Sequence, residues 1–304
     1  MSSDSPGRAR MSPDEAGAWH PLSCASFSEA AGGLLSDLSY RDFEYEGWER
    51  AAAAYGKSFE SATRLFVSRL LDAAQIKHGM RVLDLACGTG IATSLGAARG
   101  ARMSGVDFSP AMLKAARQRY PAIEFREAEA KALPFEDESF DAVIANFGVN
   151  HFAFPLEALA EIRRVLRPEG RFVFTVWAAA EESSFHSLAV DAVCAAGDPG
   201  PALPSPSHGV LDSVRVCLRL LEDAGFDDAA CNADLVEASL RLDSAQQLLD
   251  ILIEGTVHTS ALLRTQWPER ADALREAMER ATARFQVRGS LKLPVSAVLA
   301  SATK

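Results

Sequence analysis

Apolar residues recur at helical spacing over residues 47–76. There "WERAAAAYGKSFESATRLFVSRLLDAA" puts Phe59, Leu65, Phe66, Leu70 and Leu71 on one face with few breakers. The period then changes. "RVLDLA" follows a Gly turn as a short, nearly unbroken apolar run, the mark of a strand covered on both faces. "TSLGAARG" returns to helix and closes at Gly100, and "RMSGVDF" is a strand. "SPAMLKAARQRYP" is a helix with Ser109 as N-cap, Pro110 at its first position and a stop before Pro121. "AIEFREA" and "SFDAVIANFGV" are strands. "LEALAEIRRVLRPEG" is a helix with Leu156, Leu159, Ile162, Val165 and Leu166 on one face, ending at Pro168 and Gly170, and "RFVFTVW" is a further strand.

Strand and helix taking turns from residue 81 to 177 predict an α/β fold, an open and mainly parallel sheet with helices on both faces. After Trp177 the alternation stops. Residues 195–209, "AAGDPGPALPSPSHG", form a Pro/Gly/Ser loop. "DSVRVCLRLLEDAGF" is a helix stopped by Gly225, residues 233–242 read as a strand, and 244–288 read as helix broken near Trp267 and Pro268. "LPVSAVLASATK" ends the chain as a strand. No internal repeat is visible. Residues 178–210 and 244–290 are expected to be helical additions over the sheet, not a second domain.

Composition narrows the function. The 304 residues are 48% hydrophobic, enough for a large core, and the net charge of −10 disfavours a nucleic-acid partner. No apolar run reaches the roughly 18 residues of a membrane span, and residues 1–20 lack the apolar stretch of a secretion signal, so a cytoplasmic location and a loose N-terminal tail are expected. Cys24, Cys87, Cys194, Cys217 and Cys231 are scattered, odd in number and without a CxxC, so reduced thiols and no metal site are expected.

The chemistry concentrates at "ACGTG", the loop after the first strand of the series, where ligands of open parallel sheets sit. Gly88 and Gly90 let a ligand approach the backbone. A dinucleotide site wants a third glycine and a phosphate loop wants GK[ST]; neither is present. Asp107 ends the next strand, where a carboxylate can accept both hydroxyls of a ribose. Asp84, inside the first strand, suits a cationic group. The ligand then carries a ribose and a positive or zwitterionic part.

"VLDLACGTG", "GVDFSPAMLKAAR", "AEAKALPFEDESFDAVIANFGVNHF" and "EIRRVLRPEGRFVFTVW" resemble the successive motifs of class I S-adenosylmethionine-dependent methyltransferases. The nearest group is the ubiquinone/menaquinone-biosynthesis type (methyltransferase type 11), which includes bacterial natural-product methyltransferases. The resemblance covers about residues 75–178; "LLEDAGF" at 220–226 and the lid-like "GWERAAAAYGKSFESATRLF" extend it. It implies a Rossmann-like sheet of seven strands, divided as a flexible tail (1–20), a helical lid (21–76), a cofactor-binding core (77–178) and a remainder with helical, acceptor-binding additions (179–304).

The cofactor implied is S-adenosyl-L-methionine. Asp84 would neighbour its methionine part, with the backbone of Ala86, Cys87, Gly88 and Gly90 alongside. Asp107 would hold the ribose, and Phe108 and Met112 would pack near the adenine. Glu129 and Ala130 stand in an "AEA" triplet where the family has "GDA"; the longer acid can still accept from the adenine amino group. Asn146, Phe147 and Gly148 follow the fourth strand, where cofactor and acceptor meet, and Tyr55 and Thr63 are the expected lid contacts.

His151, just past that strand, is the candidate general base, or else a wall residue; His186 and His258 are lesser candidates, and His208 is expected to be solvated. The aromatics Tyr40, Phe43, Tyr45, Trp48, Tyr55 and Phe59 suit a closing cover, and Phe147, Phe152 and Phe154 suit an apolar acceptor pocket. The reaction expected is methyl transfer to a small or medium organic acceptor, a secondary metabolite, with O-methylation ahead of N-, C- or S-. A repurposed cofactor-binding regulatory or assembly subunit and a peptide methyltransferase are the alternatives. A nucleic-acid acceptor lacks a basic stripe and a [DN]PP[FY] motif, and an arsenite acceptor lacks paired cysteines. A homodimer through the lid or the added helices stays open.

Overall fold

The computed structural model describes residues 37–179, 184–196, 203–205 and 209–304. The expected tail (1–20), the first part of the lid and His208 lie outside them.

The sheet runs β3-β2-β1-β4-β5-β8-β6. Its parallel half comprises β1 (Arg81–Leu85), β2 (Arg102–Asp107), β3 (Glu124–Glu127), β4 (Phe140–Asn146) and β5 (Leu166–Trp177). β8 (Ser290–Thr303) inserts antiparallel between β5 and β6 (Cys231–Leu242). The two-residue β7 (Gln286–Val287) hairpins onto β8 and is the eighth strand, beyond the seven expected. Strand order reverses between β1 and β4, which opens a crevice at their carboxyl ends.

Alternation along the strands builds two cores. Leu83, Leu85, Val143, Ala145, Phe172 and Phe174 face one side, against α5 (Pro155–Val165) and α7 (Val214–Asp223). Val82, Ala142, Ile144 and Val173 face the other, against α2 (Glu60–Ala73) and α3 (Ile91–Ala98). With both faces covered, nearly every strand position is apolar, which is why the sequence showed runs instead of strict alternation.

Three expectations change. The single helix over 47–76 is two, α1 (Asp37–Tyr55) and α2, separated by a turn at 56–59. Repeated apolar spacing on both sides of Gly56 hid the change of direction. α5 ends at Val165, and Leu166 already belongs to β5; Leu156, at the helix start, is 49% exposed because it precedes the face that meets the sheet. The stretch 244–288 divides into α8 (Ala245–Gly255), α9 (His258–Arg264) and α10 (Ala271–Thr282). These join α6 (Ser184–Ala196) in a third core, with Phe59, Phe66 and Trp177, over the β6–β8 end of the sheet. α4 (Pro110–Arg119) begins as expected, its Ser109 hydroxyl accepting from Met112 N at 3.1 Å.

Candidate functional site

A cleft of about 830 Å³, open to solvent, lies at the ends of β1, β2 and β4 under α1. Ala86 and Gly88 come from the first loop, Asp107, Phe108 and Met112 from the second. Glu129 and Ala130 follow β3, while Asn146, Phe147, Gly148 and His151 follow β4. Tyr55, at the end of α1, also lines it.

Gly88 N donates to Asp107 Oδ2 at 2.8 Å, and Ser109 N donates to Oδ1 at 2.9 Å. Burial raises the Asp107 carboxyl to about 6, against the backbone hydrogen bonds that favour its charge. Gly88 has φ +53, and a Cβ there would meet no atom within 4 Å. The loop therefore presents bare backbone to open space.

Four expected residues do not line the cleft. Asp84 is buried beneath the loop: Thr93 Oγ1 donates to its Oδ2 at 2.5 Å, and its Oδ1 has no partner among the described residues. Burial raises its carboxyl to about 7. The Cys87 side chain turns inward against Leu113, Ala116 and Phe125, which pushes its thiol pKa up. Gly90, at φ +83, lies against Phe125 and Tyr120. Thr63 stands behind Tyr55, its hydroxyl 3.2 Å from the Tyr55 hydroxyl, and its carbonyl accepts from Asn146 Nδ2 at 3.3 Å.

Polar ties hold α1 over the cleft. Arg41 donates to Glu129 Oε1 from Nε (2.8 Å) and Nη2 (2.5 Å), so the acid expected to face an adenine also anchors α1. Glu49 Oε1 accepts from Ser109 Oγ (2.6 Å) and Ala111 N (3.0 Å), capping the start of α4. In α2, buried Glu60 pairs with Arg119 at 2.6 and 2.9 Å and accepts from Thr89 of the glycine loop.

A second cavity, about 1190 Å³ and also open, adjoins the first. Tyr40, Phe59, Trp177, His186 and His258 contribute to its walls, and Trp48 and His151 line both cavities. Among its described lining residues there is no lysine or arginine. Phe147, Phe152 and Phe154, expected around an acceptor, line the first cavity. Phe147 stacks on Trp177, rings 3.9 Å apart, and so forms part of the partition.

Glu44 is the residue that sequence reasoning missed. It is fully buried on α1, with Oε2 2.9 Å from His151 Nδ1 and Oε1 3.2 Å from His258 Nδ1; both are charge contacts and not straight hydrogen bonds. Trp48 Nε1 donates to Oε2 at 2.9 Å. Burial pushes its pKa up, and His151, His258 and the Tyr40 hydroxyl together more than offset this, leaving it below the ordinary range. Burial lowers His258, and burial together with the neighbouring histidines lowers His186 to about 4.

Residues 83–174 match the family described as a methyltransferase domain. Those residues are a methyltransferase domain, similar to the class I, S-adenosylmethionine-dependent type. It is 43% identical over 111 residues to the demethylmenaquinone methyltransferase of Renibacterium salmoninarum, covering 36% of this chain and 47% of that protein. The Thermus thermophilus enzyme of the same name is 48% identical over 111 residues, covering 34% and 50%. The chain spans about half the length of the curated relatives it matches. The fold alone is shared with the YcgJ protein of Bacillus subtilis (18% identity, TM-score 0.51, 78% of this chain and 97% of that one).

The methyltransferase domain's residues fit that cofactor. Gly88 leaves the loop open on the cleft side, the Asp107 carboxylate is fixed at its edge, and the orphaned Asp84 Oδ1 is a buried acceptor beneath the loop. Glu44 and Arg41 carry no sequence signal. Their helix precedes the matched segment, and acids on a surface-looking helix read as solvated.

Proposed function

We propose that this chain transfers a methyl group from S-adenosylmethionine to a small, uncharged organic acceptor, with O-methylation favoured. The bound cofactor supplies an electrophilic methyl carbon on a sulfonium. The chain's own contribution is to hold the acceptor dry and aligned, which can be worth about 7–11 kcal/mol in favourable cases.

One observation carries this reading: the cofactor cleft and the aromatic chamber share Trp48 and His151 as walls. A group crossing between them passes an imidazole. An aromatic lining without lysine or arginine among its described residues favours an uncharged acceptor over a phosphate or nucleic acid. Elements lining the chamber, α1, α6 and α9, lie outside residues 83–174, so a relative's acceptor is not inherited with the match.

The test is incubation with methyl-labelled S-adenosylmethionine and an extract of the source cells. The expected result is label in one small molecule. Label in protein or nucleic acid would refute the acceptor class. No label anywhere, with calorimetric binding of the cofactor intact, would favour a regulatory or assembly subunit.

A further inference from the structure

Glu44 is a fully buried carboxylate whose charge contacts are two imidazoles. Its Oε2 faces His151 Nδ1 and the Trp48 N–H. A carboxylate oxygen that accepts from an indole N–H favours the tautomer in which His151 Nδ1 also carries hydrogen. That leaves Nε2 with the lone pair, on a ring that lines both cavities.

The other oxygen fixes the proton count. His258 lies between two acceptors, Glu44 Oε1 at 3.2 Å from Nδ1 and the Pro204 carbonyl at 3.0 Å from Nε2. The carbonyl requires hydrogen on Nε2. The Glu44–His258 contact then needs one proton, on Nδ1 or on Oε1, since a lone pair facing a carboxylate would repel. Glu44 and His258 thus share one proton.

We propose that Glu44, carried on the lid helix, is the positioning residue that makes His151 the proton acceptor for a hydroxyl substrate; this rests on the methyl-transfer reading above. In the step, the O–H bond breaks and its proton forms an N–H bond on His151 Nε2. The oxygen bonds the methyl carbon with the released pair, and the carbon–sulfur pair leaves on sulfur. The new imidazolium faces Glu44, whose charge stabilises it. A substrate that enters without a removable proton would need none of this. Because Glu44 travels with α1, a displaced lid leaves His151 without its partner.

The charged and titratable groups acting on His151 are Glu44 from α1, Asp107 from β2, His186 from α6 and His258 from α9. Two variants move its titration in opposite directions. Glu44→Gln keeps the shape and a carbonyl for Nδ1 but removes the charge. His258→Asn removes the competing cation and leaves Glu44 to His151 alone. Nitrogen-15 spectra of the ligand-free chain are expected to show His151 protonated on Nδ1. Its midpoint should fall by about one unit or more in Glu44→Gln and rise in His258→Asn. With an acceptor from the labelling experiment, Glu44→Gln should lower kcat at least tenfold and leave S-adenosylhomocysteine affinity within twofold.

A His151 midpoint unmoved in both variants, or hydrogen on Nε2 in the parent, would overturn the proposal. These spectra need no methyl transfer, so failure of the parent to bind S-adenosylhomocysteine would count against the methyltransferase reading alone.

Discussion

The backbone N–H of Gly88 donates to the carboxylate of Asp107 at 2.8 Å, joining the loop after β1 to the end of β2. One acid therefore shapes the glycine loop and also faces the cleft. Asp107→Ala removes both roles. Calorimetry with S-adenosylhomocysteine is expected to show affinity reduced ten- to a hundredfold, about 1.4–2.7 kcal/mol. Unchanged affinity would remove the ribose assignment.

The two loop glycines are expected to fail differently. A Cβ at Gly90 would lie 2.9 Å from Phe125 Cζ at a φ of +83, so Gly90→Ala should destabilise the chain by about 2 kcal/mol or more. At Gly88 a Cβ meets open space, and the cost to folding is the left-handed backbone alone, about 1–2 kcal/mol. Gly88→Ala should instead lose cofactor affinity. Thermal melts and calorimetry on both variants separate the effects; equal affinity losses in both would argue against it.

Asp84 gives a pH dependence with a definite sign. Burial raises its carboxyl from 3.8 to about 7, so the folded chain holds this proton more tightly than the unfolded chain. The contribution is fully present below the unfolded value and is lost as pH rises to about 7. Asp84→Asn carries no such dependence. Its melting temperature relative to the parent should climb between about pH 4 and pH 7, then level off. A difference that stays constant over that range would contradict the buried carboxyl with its one unpartnered oxygen.

Trp177 separates the cavities: it stacks on Phe147 at 3.9 Å and meets Phe185 edge-on at 4.6 Å. Trp177→Ala should cost about 3–5 kcal/mol of stability. In the folded fraction it should raise the acceptor KM more than the cofactor KM. Equal changes in both would mean that the chamber does not hold the acceptor.

His151→Ala should leave S-adenosylhomocysteine affinity nearly intact and slow turnover by about 10²–10⁴-fold if the imidazole takes the proton. Full activity would remove it as a base.

Much of the core was legible because its signals are local. Apolar runs between glycine turns fixed β1, β2, β4 and β5, and the Ser109–Pro110 pair fixed the start of α4. Asp107 and Gly88 were legible because strand ends and glycine loops mark where an open sheet binds. Cys87 and Gly90 were read with the same loop, yet a neighbour in sequence can face the opposite way: both lie against buried Phe125, away from the cleft. Glu129 was read as a ligand acid, and its tie to Arg41 depends on a helix many residues upstream.

The sequence by itself determined the alternation of strand and helix, the glycine loop and the two acids at the strand ends, because hydrogen bonding and side-chain period act over a few residues. The tertiary structure decided what covers that loop. Gly56 and its neighbours break the long helix, α1 then crosses the cleft, and Glu44 comes to rest between His151 and His258. Burial turns an acid that reads as solvent-facing into the charge partner of two imidazoles, and burial is set by packing between segments that no local pattern connects.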